Sequence, residues 1–127
     1  MLKYAFNPGG NRNVSVYGRG LRVSTKNSEL ICGQIRGKSL PKAKALLQRL
    51  VDRTDSLKGR YYTNATTEIL SLLNSAENNA EVKGLKNDRL IVNASAHQGF
   101  SLYRPRRFKL RRQKRKVTHI QVVLQEK

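Results

Sequence analysis

The stretch QGFSLYRPRRFKLRRQKRK, from Gln98 to Lys116, holds nine Lys and Arg between Arg104 and Lys116 and no acid. None of these cations has a counter-charge nearby in the sequence. Self-repulsion is expected to keep the segment extended, unable to fold on itself until a polyanion neutralises it. Strand-like sequence on both sides argues against a tail. Leu90, Val92, Ala94 and Ala96 alternate with Ile91, Asn93, Ser95 and His97, and Ile120, Val122 and Leu124 alternate with His119, Gln121 and Val123. That is the period of two of a strand with one buried face. Antiparallel pairing of the two makes everything from about Gln98 to Val117 the outer part of a long basic β-hairpin. Arms of about ten residues would project on the order of 30 Å at the usual strand rise. The tip carries no Asn-Gly or Asp-Gly pair to set a turn type.

Upstream the period changes to that of helices. Ser24 or Thr25 is placed to cap a helix through Asn27 to Arg36, with Ile31 and Ile35 on one face and Gly37 ending it. Ser39 caps a second helix that tolerates Pro41 in its first turn and carries the stripe Ala43, Leu46, Leu47, Leu50 and Val51. After the polar connection from Asp52 to Arg60, Thr63 or Asn64 caps a third helix. Its stripe is Ala65, Ile69, Leu72, Leu73, Ala76 and Ala80, and Gly84 is placed as its C′ residue. Leu21-Arg22-Val23 reads as one further short strand. Helices first and the hairpin last predict an α+β fold, with the helices on one face of a small antiparallel sheet.

The chain has 127 residues, enough for one core. A single domain is expected: an N-terminal basic arm over 1–20, a globular body over 21–97 and 118–127, and the extended hairpin over 98–117. The Gly-rich arm, with Arg12 and Arg19, is expected to order on a partner. Lys and Arg number 26 against 8 Asp and Glu, a formal net charge of +18. Six of the eight acids lie between Glu29 and Glu81, against eight Lys and Arg there, so the middle of the chain is near neutral while the N-terminal arm and the hairpin are purely cationic. Such a charge points to a phosphate-rich partner. Membrane insertion is not expected, since the apolar runs are only a few residues long, and Met1 to Phe6 is too short and polar for a secretory region. The lone Cys32 permits no intramolecular disulfide or cysteine-rich zinc site.

Catalytic readings find little support. Gly33-Gln-Ile-Arg-Gly-Lys38-Ser39 resembles a phosphate-binding P-loop, but it has three residues between its glycines and lies between two helices. It reads as a helix-helix turn, with Lys38 left as a possible phosphate contact. Cys32, His97 and His119 match no metal or nucleophile spacing, and Asp52 and Asp55 have no apolar pocket to raise a carboxyl pKa. No enzyme activity, metal or cofactor is expected. For the basic limb, the aromatic residues Phe100, Tyr103 and Phe108 could stack on unpaired bases while Arg forks grip phosphates. RNA is preferred to DNA because no helix is basic enough to read a groove.

Several stretches together resemble one family: Leu21-Arg-Val-Ser-Thr-Lys-Asn-Ser28, Ile35-Arg-Gly-Lys38, Pro41-Lys-Ala43, Gly59-Arg-Tyr61, Leu72-Leu-Asn-Ser-Ala-Glu-Asn-Asn-Ala80 and Thr118-His-Ile120. They are similar to the universal large-subunit ribosomal protein twenty-two, in its archaeal and eukaryotic branch. The resemblance implies three helices on a three-stranded antiparallel sheet, and a hairpin that threads large-subunit rRNA and lines the nascent-peptide exit tunnel. It implies a structural, cytoplasmic, non-oligomeric component with rRNA, neighbouring ribosomal proteins and the nascent polypeptide as partners. Members of that branch usually carry a longer insertion between the second and third helices, whereas Asp52 to Gly59 is brief here. The expected rRNA contacts are Arg12, Arg19, Arg22, Lys26, Lys38, Arg104, Arg106, Arg107, Lys109, Arg111, Arg112, Lys114, Arg115 and Lys116. By analogy with the family's hairpin, Arg106, Arg107, Phe108, Lys109, Leu110, Arg111 and Arg112 form the tunnel-facing tip. A free-standing nucleic-acid chaperone or compacting protein is the alternative on charge alone.

Overall fold

The computed structural model describes residues 4–127; the expectation for residues 1–3 of the basic arm lies outside them. In chain order the elements are β1 (Asn13–Leu21), α1 (Thr25–Ile35), α2 (Leu40–Val51), α3 (Thr63–Val82), β2 (Leu90–Gln98), β3 (Leu102–Tyr103), β4 (Lys114–Arg115) and β5 (Thr118–Glu126). The main sheet has the order β1-β5-β2, antiparallel throughout. Helix α1 packs on β2, α3 on β1 and β5, and α2 on α3. The class is α+β, with three helices over a small antiparallel sheet, as the change of period implies.

The helical stripes become the core. Ala43, Leu47 and Leu50 of α2 and Ala65, Ile69, Leu73, Ala76 and Ala80 of α3 are buried against Leu90, Val92, Ile120, Val122 and Leu124 of the sheet. Helix α3 ends in a Schellman motif: the Leu85 amide donates to Ala80 O at 3.0 Å and the Gly84 amide to Glu81 O at 2.9 Å, with Gly84 at φ +72°. Its start differs from expectation. Tyr62, at φ 48°, takes the capping position in place of Thr63 or Asn64 and offers no side-chain cap. The buried Thr66 hydroxyl instead donates back to Tyr62 O at 2.9 Å. Ser24 and Ser39 do sit at the cap positions of α1 and α2, although neither side chain makes the capping bond. Helix α1 also begins at Thr25, ahead of the expected Asn27.

The N-terminal strand is a correction. The short strand expected at Leu21-Arg22-Val23 is instead a nine-residue strand from Asn13 to Leu21, inside the stretch expected to wait for a partner. Val14, Val16 and Gly18 pair with Leu124, Val122 and Ile120. Gly18 reads as a loop residue in sequence, yet it is buried because the sheet and α3 approach closely there. A Cβ at Gly18 would lie 2.9 Å from Leu21 Cδ1 and 3.0 and 3.2 Å from the methyls of Leu72. The ladder shifts register between Gly18 and Leu21, and Gly20 at φ +70° lies in that irregularity.

Strand β5 is buried on both faces. Alternation placed Gln121 and Val123 on the open side, but they are 7% and 2% exposed. The N-terminal segment lies over them, with the Ala5 amide donating to Gln121 Oε1 at 2.7 Å. Core truncation should therefore be far costlier than surface truncation on the same helix. Ile69→Ala should lose about 2–5 kcal/mol in urea unfolding, and Val82→Ala, at an 89% exposed position, should stay within about 0.5 kcal/mol.

Candidate nucleic-acid interface

Beyond the main sheet the two limbs of the basic segment stay paired. The Gly99 amide donates to Val117 O at 2.9 Å, Leu102 and Tyr103 pair with Arg115 and Lys114, and the Arg104 amide donates to Gln113 O at 2.9 Å. A 3-10 turn at Phe108–Leu110 and Arg112 at φ 61° reverse the chain, and the Gln113 side-chain amide donates to Lys109 O at 3.0 Å. The expectation that repulsion holds this segment open is therefore corrected. Backbone bonds fold it back, and the charge acts on the side chains instead: every Lys and Arg from Arg104 to Lys116 is exposed. The strand ladder in the excursion is also shorter than the uniform arms expected, being two residue pairs.

The root of this excursion is tightly built. A Cβ on Gly99 would meet Val117 Cγ1 at 2.7 Å and the Val117 carbonyl carbon and oxygen at 3.0 Å. The buried Thr118 hydroxyl donates to Val23 O at 2.8 Å and lies 2.8 Å from Thr25 Oγ1, tying β5 to the entrance of α1. On the opposite sheet face His119 Nδ1 accepts the Gly20 amide at 3.0 Å, and its ring lies against Tyr17 and Phe100, with centroids 5.7 and 5.9 Å away. Periodicity places His119 on that face. Its partner Gly20 is 99 residues distant, and nothing in local spacing indicates the contact.

The predicted cations divide into groups. Lys26, Lys114, Arg115 and Lys116 line a hollow of about 430 Å³ between the start of α1 and the root. Arg22 and Lys116 line a second of about 370 Å³ that runs to Tyr62–Ala65. The two hollows share Ser24 and Lys116, so they form one basic crook. Arg104, Arg106, Arg107, Lys109, Arg111 and Arg112 stand farther out around the tip, with Phe108 and the half-buried Leu110. Arg19 is exposed on β1 near its root end. Arg12 and Lys38 belong to the other end of the sheet: the Glu126 amide donates to Arg12 O, and the Val92 amide donates to Lys38 O. Val92 and Gln98 are separated by roughly 20 Å of strand, so Lys38 cannot join the crook.

The aromatic residues differ in availability. Phe108 is 87% exposed and free to meet a base, Tyr103 carries Lys114 Nζ 5.4 Å from its ring centre, and Phe100 is partly committed to His119. The ion pairs among the described residues, Lys44–Glu77 at 2.5 Å and Arg49–Asp55 at 3.0 Å, both lie in the body. No cation of the excursion is neutralised by a carboxylate among them.

The Gly37 amide donates to Val92 O at 2.8 Å, so the P-loop-like segment spends its backbone on the sheet edge, between α1 and α2. Cys32 is fully buried, and that burial pushes its thiol from the ordinary 9.0 up to about 12, against the pull of the Arg36 charge. It is a packing residue. Asp55 is occupied by Arg49, and Asp52 accepts the Gln48 amide at 3.1 Å.

The family described as ribosomal protein L22p/L17e matches residues 16–125. The chain belongs to this family. It is 33% identical to a protein of Methanococcus aeolicus named large ribosomal subunit protein uL22, over 98% of this chain and 97% of that one. A protein of the same name from Methanopyrus kandleri is 33% identical over 91% of this chain and 88% of its own. The Methanocella arvoryzae protein of that name is 36% identical over 62% and 65%. The Methanococcus aeolicus alignment extends over 148 positions, more than the 127 residues here, so that relative carries segments this chain lacks. Membership makes the chain a structural ribosomal protein and not an enzyme. The free-standing chaperone reading is not favoured. No helix among the described residues is long and apolar enough to cross a membrane.

The tight root makes a specific prediction. Gly99→Val should cost about 1–3 kcal/mol through the clash with Val117. Amide exchange should quicken around His97 to Thr118 while protection at Leu90–Ala94 persists.

Proposed function

We propose that the chain serves as an rRNA-binding structural constituent of the large ribosomal subunit, anchored by the basic crook and the excursion beyond it. The observation that carries this reading is a block of nine exposed cations with no carboxylate partner among the described residues, rooted in the sheet by the Gly99–Val117, Thr118–Val23 and Gly20–His119 bonds. Each phosphate engaged there releases counterions, and the rigid root spares the ordering cost that a free tail would bear. Arg22, Lys26, Lys114, Arg115 and Lys116 act as one clamp, while Arg104, Arg106, Arg107, Lys109, Arg111 and Arg112 extend it outward. Arg19 adds to the root side. Arg12 and Lys38, at the far end of the sheet, meet RNA segments separate from those in the clamp.

The finer roles rest on the family. The tip from Arg106 to Arg112 faces the nascent-peptide exit tunnel, neighbouring ribosomal proteins meet the body, and the protein acts as a single copy in the cytoplasm. The division into arm, body over 21–97 and 118–127, and hairpin over 98–117 then separates docking from threading. In a sucrose gradient of cell extract the intact protein should sediment with the large subunit; its presence in the light fractions at low salt contradicts the reading. In binding to large-subunit rRNA, changing Lys114, Arg115 and Lys116 to Gln should flatten the log-log salt slope by roughly 0.7–0.9 for each phosphate no longer neutralised. Lys38→Gln should flatten it by no more than the amount for a single phosphate.

A further inference from the structure

On the sheet face away from the helices lies a hollow of about 370 Å³ that the phosphate-binding surface does not include. It is lined by Phe6, Asn93, Ser95, His97, Gln121 and Val123. We propose that this hollow takes a single unpaired RNA base, a recognition site separate from the cationic limb; the proposal rests on the rRNA-binding reading above.

Three observations lead there. The volume falls at the lower end of the range for sites that enclose small organic groups, about 300–1,000 Å³. Two aromatic rings line it, Phe6 at 41% exposure and the exposed His97, and such rings are the groups on which unpaired bases stack. The half-buried Asn93 side-chain amide has no hydrogen-bond partner among the described residues. It offers a donor and an acceptor side by side, the arrangement that pairs with the edge of a base. Gln121 Oε1, by contrast, is engaged by the Ala5 amide and, at 3.4 Å, by Ser95 Oγ. An apolar side chain in this space would bury the Asn93 amide unpaired, which disfavours a purely hydrophobic protein occupant.

Location and charge point the same way. His97 directly precedes Gln98, where the chain leaves the sheet for the basic excursion, and it faces His119 across the ladder. From Gln98 back to Asn93 is roughly 17 Å of strand, the span an RNA held at the root covers along β2 to meet the Asn93 amide. Arg36 reinforces the edge: its Nε and Nη2 donate to Ala94 O at 3.2 and 2.9 Å, so the cation sits at the wall of the hollow with its remaining N–H groups directed elsewhere than that carbonyl.

The test uses the full chain. Fluorescence anisotropy compares short single-stranded RNAs of each base with a duplex of equal phosphate number at fixed salt. Wild type should prefer at least one single strand over the duplex, and Asn93→Ala and His97→Ala should each shrink that preference about five- to tenfold. No preference in wild type, or preferences kept within about twofold in both variants, overturns the proposal. Arg111→Gln with Arg112→Gln should weaken all the RNAs alike. A wild-type chain that binds none of them, or rRNA either, would instead sink the rRNA reading itself. In assembled large subunits, His97→Cys bearing a short photoreactive group should cross-link to one rRNA nucleotide. A cross-link to a protein, or none, overturns the proposal.

Discussion

The double pairing of the C-terminal strand is the constraint on which the rest of the fold depends. β5 bonds β1 on one edge and β2 on the other, and both of its faces are covered, by the helices beneath and the N-terminal segment above. Because this central strand comes last, the chain must leave β2 at Gln98, make its cationic excursion, and return at Thr118 to complete the sheet. The basic segment is thus closed at both ends by core structure. Gly99 against Val117, Thr118 on Val23 and Thr25, and His119 on Gly20 convert a charged loop into an appendage with a defined direction.

The same arrangement divides the electrostatics. The ion pairs among the described residues involve α2 and α3 and the connection after α2, and α3 carries no Lys or Arg over its whole length. The excursion keeps its cations exposed and unmatched. In the free chain that self-repulsion opposes compaction and is screened by salt. In contact with phosphate it becomes the driving term, since counterion release grows with each phosphate neutralised. A body that folds through apolar burial and a limb whose cations stand without carboxylate partners among the described residues are complementary parts of one small chain.

Much of this was legible in the sequence because period and charge are local properties. The stripes of α2 and α3, the alternating residues of β2 and β5, and the Gly84 terminus each follow from spacing alone. What was not legible depends on contacts between distant residues. β1 is hidden by Gly18 and Gly20, whose presence reflects Leu72 pressing from α3 and a shift in the ladder. The second buried face of β5 depends on Ala5 meeting Gln121, 116 positions away. Among the site residues, the clustering of Arg22 and Lys26 with Lys114–Lys116 follows from topology, as does the separation of Lys38. Phe100 looks in sequence like one of three equivalent aromatics, and only its contact with His119 distinguishes it from the exposed Phe108.

The central claim is that the body folds by itself while the excursion supplies the grip on RNA. It is tested most directly by replacing residues 99–116 with a two-residue turn and measuring the fraction of the shortened chain that sediments with the large subunit. A shortened chain that retains helical circular dichroism and cooperative unfolding, yet falls several-fold behind the full chain in incorporation, is the result predicted. Incorporation equal to that of the full chain at the same salt, or global unfolding of the shortened chain, would contradict it.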